Sequence, residues 1–403
     1  MTNPGRFSAF QYRDFRFFWF GQLISLSGTW MQSVAQGWLV YSLTKSPFYL
    51  GLVAACESLP IFLFTLLGGI AADRFRKRNV LLLTQTFSII PALLLGILTD
   101  INVIAIWQVA LLAAVLGTIN SFDMPARQSF IFEMVGKGNL TNAIALNSAA
   151  FHGARMIGPV IAGIAIAHLG LPACFYLNAV SFVAVIIALS KIRVEGEVRE
   201  SSNGIMRDFT EGIKYIKSKS EIYRIMLLIA VFGLIGMPFI NLLPVFAVEV
   251  LGKGPEGFGF LVGATGIGAL TAALFLSFRS DIKEKNRFMF FSTLCFSILL
   301  FIFSLSTIFY LSIALLIFIG WSMLSFFATA NSFIQLSVSD NMRGRAMSVY
   351  TFVFLGTAPI GNSIMGIAAD AIGTTKIVSI AAVICFIASI VFFNKNKKKG
   401  TAV

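Results

Sequence analysis

Long apolar runs alternate with short polar punctuation along the whole chain. The runs predict membrane-crossing helices at 17–41, 49–72, 79–98, 103–124, 141–167, 172–190, 222–247, 257–279, 287–307, 309–336, 345–369 and 374–393. Each is near the roughly 20 residues that a helix needs to cross a bilayer. The sharpest punctuation is Gly69-Ile70-Ala71-Ala72-Asp73-Arg74-Phe75-Arg76-Lys77-Arg78, with one carboxylate and four cations between two apolar runs. That much charge cannot lie in hydrocarbon, so the chain crosses, turns tightly at a membrane surface and crosses back. The longest polar stretch divides the chain into a six-span half at 1–190, a linker at 191–221 and a second six-span half at 222–403. The linker contains Ser201-Ser202-Asn203-Gly204 and a candidate surface amphipathic helix from Ile205 to Lys219, and it reads as a plain tether or as a regulatory element.

The fold class that follows is an all-α membrane protein with twelve transmembrane helices. Hydrophobic residues make up 57% of the 403 and charged residues 12%, with a mean hydropathy of +0.85. Soluble domains carry about 25% charged residues. The net charge of +13 would suit nucleic acid if it covered a domain surface. The cations instead sit in short clusters between apolar runs, which reflects topology and excludes a nucleic-acid partner.

With twelve crossings, all but four of the 31 lysines and arginines fall on the N-terminal side. Lys45, Lys253 and Lys376 lie opposite, and Arg155 falls within a span. The bias puts both termini in the cytoplasm. The start, with Arg6, Arg13 and Arg16, reads as mature protein because no cleavage pattern follows. Cys56, Cys174, Cys295 and Cys385 stand singly in apolar runs and read as small core residues. Gly252-Lys253-Gly254 lacks the P-loop spacing, and no nucleophile–base or metal-ligand spacing occurs. An ATPase, an enzyme and a cofactor site are therefore not expected.

The halves repeat at one fixed offset. Gln128-Ser129-Phe130-Ile131 aligns with Asn331-Ser332-Phe333-Ile334, and Gly153, Gly158 and Gly163 align with Gly356, Gly361 and Gly366 without a gap. Paired six-helix halves are how a central cavity can open alternately to either side.

Polar residues inside the spans are the candidate chemistry. In the first, Gln32 and Gln36 share a helix face and either line a watery route or bond to neighbouring helices. Glu57 lies about 24 Å along a helix from Asp73, deep in the membrane. A carboxyl there suits proton uptake and release, or a structural hydrogen bond. Asp123 and Arg127 flank Pro125, which should end or bend the fourth helix, and they form part of a gate or a plain boundary ion pair. Asn139 to Asn142 offers amides to cap the start of the fifth helix.

That helix then carries Asn147, His152, Arg155, Gly158-Pro159 and Gly163. Arg155 has a depth similar to Glu57, the only acidic residue so placed in the first half, and the two are expected to face one cavity. His152 is a second titrating group or a hydrogen-bonded packing residue. Gly158-Pro159 should interrupt the helix and admit a close neighbour. In the second half Pro238, Asn241 and Pro244 should break the seventh span, and Gly263, Gly266 and Gly268 suggest a tight interface in the eighth.

On Gly69, Asp73, Arg74, Lys77 and Arg78 the chain resembles the major facilitator superfamily of secondary transporters, with Arg76 where the pattern has its second glycine. The resemblance implies that this loop clamps the cytoplasmic side. Asp73 would then meet the start of the eleventh span near Gly344 to Ala346, beside Arg343 or Arg345. The counterpart loop at 278–285 is degenerate. Gly158-Pro159 with Ala162-Gly163 is similar to the fifth-helix motif of proton-coupled antiporters, and the usual fourth-helix arginine motif is absent, which gives Arg155 a related electrostatic role. Gly28-Thr29-Trp30-Met31-Gln32, Pro125-Ala126-Arg127-Gln128-Ser129 and Asn142 to Ser148 resemble the bacterial efflux branch that includes enterobactin and macrolide-type exporters.

The resemblance implies a monomeric, proton-driven exporter in a bacterial inner membrane, with an amphiphilic small molecule such as a siderophore or hydrophobic drug as its substrate. The alternatives are an importer of a nutrient or ferric chelate and a receptor that transports nothing.

Overall fold

A computed structural model of the chain describes residues 8–194, 205–279 and 284–394. Arg6, the Ser201 to Gly204 segment, residues 280–283 of the 278–285 counterpart loop and the C-terminal lysines lie outside the described residues. The described elements are helical: a 3-10 turn at Ser8–Gln11, then α1 Arg13–Thr44, α2 Pro47–Arg74, α3 Lys77–Asp100, α4 Ile106–Gly136, α5 Gly138–Leu169, α6 Leu171–Ser190, α7 Ile205–Ser218, α8 Ser220–Val250, α9 Pro255–Phe278, α10 Lys285–Leu305, α11 Phe309–Ser337, α12 Asp340–Ile372 and α13 Thr374–Asn394. Eleven of the described helices are long and apolar enough to cross a membrane. The short α7 is not among them, and neither is α1, whose 32 residues suffice in length but carry many polar side chains.

Several boundaries differ from the sequence expectation. Pro125 does not end the fourth helix. Its missing N–H costs one helical bond, and α4 continues to Gly136, where a φ of 64° turns the chain into α5. Gly158-Pro159 does not interrupt α5 either, although it does admit a neighbour. Asn142 accepts a bond from the Ala9 N–H at 3.0 Å instead of capping α5, and Asn139 donates to the Tyr12 hydroxyl at 3.0 Å. Among the cysteines, Cys174 and Cys385 are buried, but Cys295 is exposed and Cys56 half-buried. The irregularity expected in α8 is present: π-helical turns at Phe232–Gly236 and Phe246–Val250 flank a 3-10 segment at Met237–Leu242 that contains Pro238 and Asn241.

By contacts the helices form two units. One holds α1, α2 from Cys56 onward, α3 to α6, and α9 as far as Gly266. Here α1 packs on α5 and α6, and α3 on α4 and α6. A core of Phe15, Phe18, Phe130, Met134 and Leu189 joins α1, α4 and α6. The turn between α2 and α3 is only Phe75 and Arg76. Arg76 has φ −60°, a value open to any residue, so the turn is tight without the glycine of the superfamily pattern. Lys77 forms a buried ion pair with Glu133 at 2.9 Å, and Arg78 donates to the Leu189 and Ser190 carbonyls at the end of α6.

The other unit holds Ser46–Ala55, α7, α8, α9 from Ile267, and α10 to α13. Its core is aromatic: Phe232 and Phe239 of α8 meet Phe296 of α10, and Phe246 meets Phe303. The amphipathic α7 lies along α12. Gly212 packs on the Arg345 carbonyl, Phe209 meets Phe352 edge to face, and Glu211 pairs with Arg345 at 2.5 Å. Bonds from the Ser339 hydroxyl and N–H, helped by the Lys219 ammonium, lower the Tyr215 phenol below its ordinary pKa.

Candidate functional site

Arg155 and His152 of the first unit lie where α5 meets α1. Gly158 allows that approach: a Cβ there would lie 2.7 Å from the Ser27 carbonyl oxygen and 2.8 Å from Trp30 Cβ. The Arg155 guanidinium carbon sits 5.3 Å from the centroid of the Trp30 ring. Trp30 in turn packs on Phe151 at 5.8 Å, and Phe151 on His152 at 5.4 Å. Arg155 Nε and His152 Nδ1 are buried and have no hydrogen-bond partner among the described residues.

From the other side, the start of α9 fixes the α5 backbone through its glycines. A Cβ at Gly266 would fall 2.6 Å from the Arg155 carbonyl oxygen, one at Gly263 2.7 Å from Val160, and one at Gly163 2.8 Å from the Pro255 carbonyl oxygen. The tight interface expected of Gly263 and Gly266 is this contact, and Gly268 makes another with α11 at Trp321.

Glu57 lies on α2 at the crossing with α4. Gly117 of α4 has no side chain, which lets its backbone rest on the Glu57 carbonyl. No ion pair or hydrogen bond joins Glu57 to Arg155 among the described residues. The arginine meets an indole face, a neighbour that residue spacing along one helix cannot reveal.

The amides behave as interhelical groups. Gln32 accepts from Asn178 Nδ2 of α6 at 2.7 Å while its own Nε2 is buried without a partner, and Gln36 is buried nearby on α1. Asn147 is half-buried on α5. In the second unit Asn241 donates to Asn362 of α12 at 2.9 Å.

The expected gate residues separate into two sets. Asp123 is 2% exposed and so is buried within the unit. Its carboxylate accepts from Thr84 Oγ1 and Gln85 Nε2, each at 2.7 Å, and pairs with Arg127 one turn on. Ser25 of α1 extends this cluster to Gln85 at 3.4 Å. Lys77 and Arg78 brace the turn as described above. Asp73 stands half-buried at the end of α2, and Arg74 is exposed. Gly69 has open space around it, whereas its neighbour Gly68 packs against the Ser121 carbonyl of α4. Arg343 donates to the Gln335 carbonyl at 3.1 Å, and Arg345 is held by Glu211.

Sequence reasoning missed Glu133, Thr84, Gln85, Asn178, Asn362 and Glu211. Glu133 and Asn178 did signal themselves as lone polar residues in apolar runs. Their partners, Lys77 and Gln32, stood out in the sequence themselves, but the pairings join residues distant in the chain.

Residues 4–402 match the transmembrane secretion effector family. The chain is 26% identical over 388 residues to the staphyloferrin A transporter of Staphylococcus aureus, covering 95% of this chain and 96% of the relative. It is 24% identical over 364 residues to the multidrug efflux pump Tap of Mycolicibacterium fortuitum, covering 88% of each. Among solved structures it is similar to a POT family transporter in complex with 5-aminolevulinic acid, with a TM-score of 0.76 at 12% identity over 96% of both chains. A bacterial homologue of the iron transporter ferroportin in the inward-facing state has a TM-score of 0.73 at 15% identity, over 95% of this chain and 98% of that one. These structural likenesses concern the fold. A family match over nearly the whole length, on a chain with eleven helices fit to cross a membrane, makes the protein a multi-pass secondary transporter that belongs to the transmembrane secretion effector family of the major facilitator superfamily.

Proposed function

We propose that the chain is a proton-coupled exporter of amphiphilic small molecules, a siderophore or a hydrophobic drug, in a bacterial inner membrane. It works as a monomer with twelve crossings in two six-helix halves and with both termini cytoplasmic. α1 is the twelfth crossing. At 32 residues it is about 48 Å long, and its polar side chains Ser25 and Gln32 bond to neighbouring helices, which makes the polarity tolerable in a bilayer.

The observation that carries this reading is Arg155, half-buried in a crossing helix against Trp30, with its Nε sealed from solvent and unpartnered. A cation kept there without a carboxylate is costly, and such groups mark transport pathways. Glu57 takes up and releases the proton. Arg155, with His152 beside it, responds to that exchange or holds an anionic group of the cargo. The turn around Asp73 latches the cycle, with Lys77 and Arg78 as its braces. The names of the two relatives supply the two cargo classes, siderophore and drug.

Everted membrane vesicles test this with ethidium and staphyloferrin A as probes. The expected result is accumulation of at least one probe inside the vesicles, collapsed by a protonophore. Accumulation only in right-side-out vesicles, or no protonophore-sensitive movement of either probe, would overturn it.

A further inference from the structure

Beside the α2–α3 turn lies a cavity of about 680 Å³ that none of the transport chemistry above uses. Its walls come from three helices of one unit: Ala71 of α2, Val80, Leu83, Thr84 and Phe87 of α3, and Thr118, Ile119 and Phe122 of α4. Arg74, Phe75, Arg76 and Asn79 form its rim. The rim residues are exposed, and so are Leu83 at 59% and Phe87 at 53%. The cavity therefore opens on the side of α3 that carries apolar groups outward, as a lipid-facing surface does.

Two guanidinium groups stand at one end of this apolar groove. From Asn79 to Phe87 the wall runs about 12 Å along α3, most of the depth of one leaflet of a hydrocarbon core roughly 30 Å thick. A ligand that fits has an anionic head and a long apolar chain. We propose that the groove seats an anionic phospholipid of the leaflet that meets the α2–α3 turn, its phosphate on Arg74 and Arg76 and one acyl chain along Leu83, Phe87 and Phe122.

Arg76 is this chain's departure from the superfamily glycine, and its φ of −60° shows that the change costs the turn nothing. The departure supplies half of the headgroup site. The floor of the groove leads to the buried polar cluster, because Thr84 both lines the cavity and donates to Asp123. An acyl chain in the groove thus packs on a side chain of that cluster.

Photolabelling tests the seat. The purified full-length protein is incubated with phosphatidylglycerol or phosphatidylcholine carrying a diazirine in one acyl chain, irradiated, and mapped by peptide mass spectrometry. Phosphatidylglycerol should label the Val80–Phe87 and Thr118–Phe122 segments roughly five-fold or more above phosphatidylcholine, the effect of one to two basic groups at an anionic lipid surface. Arg74→Gln with Arg76→Gly should bring the ratio to unity while phosphatidylcholine labelling persists, and Arg74→Lys with Arg76→Lys should keep the preference. Ile119→Trp should reduce labelling by both lipids at these segments. Equal labelling by the two lipids, labelling mapped elsewhere, or a preference that survives the Gln/Gly pair would overturn the proposal. Ethidium transport is not part of the readout, so the seat and the export reading fail separately.

Discussion

The Arg155 guanidinium lies over the Trp30 ring, 5.3 Å from its centroid, and this contact joins α5 to α1 in the middle of two long helices. A cation–π contact is worth about 0.5–2 kcal/mol, well below the cost of burying the charge. The contact alone therefore does not offset that cost. Arg155→Met should leave the thermal unfolding temperature in detergent unchanged or raise it, while probe transport in vesicles falls to background. A large drop in unfolding temperature would show that the arginine holds the fold together.

Asp123, itself buried, collects two donors and a cation. Asp123→Asn removes the charge that Arg127 pairs with and sets an amide donor against either Arg127 or the Thr84 and Gln85 donors. The expected cost is about 2–4 kcal/mol, read as a lower unfolding temperature. Arg127 is partly exposed, so Arg127→Gln should cost less.

Lys77 and Glu133 form an ion pair whose side chains are 3% and 9% exposed. Removing either charge alone should destabilise by about 3–5 kcal/mol, and replacing both with apolar residues should restore most of the loss. Thermal unfolding of Lys77→Met, Glu133→Leu and the double variant checks this. Equal losses for the single and double variants would contradict the pairing.

The glycines separate by surroundings. Gly266→Ala would push a methyl against the Arg155 carbonyl and should cost about 1–3 kcal/mol through overpacking. Gly69 faces open space inside a helix, so Gly69→Ala should be neutral or stabilise by up to about 1 kcal/mol. Unfolding temperatures of the two variants should move in opposite directions or differ clearly.

Most of the architecture was legible because one period of apolar runs and one bias of cations fix helices and loops together. What stayed hidden follows from the same source. Pro125 and Pro159 read as breaks, yet a membrane helix tolerates one lost bond when its neighbours hold it, and both helices continue. The true boundary, Gly136, was one glycine among many. Arg155 stood out as a buried cation, but its Trp30 neighbour lies far away in sequence, and an aromatic partner is invisible to a search for opposite charge. Glu211, the partner of Arg345, lies in the linker, where a charged residue looks solvated by default.

The central claim is that Glu57 carries the coupled proton, and reconstitution tests it most directly. Liposomes containing the protein and an internal pH-sensitive dye are given a transported probe, and proton movement is followed as the probe crosses. Wild-type protein should move protons in the direction opposite to the probe, and Glu57→Gln should reduce that movement to the level of protein-free liposomes while the variant still unfolds at the wild-type temperature. Undiminished, pH-dependent proton movement in Glu57→Gln would contradict the account.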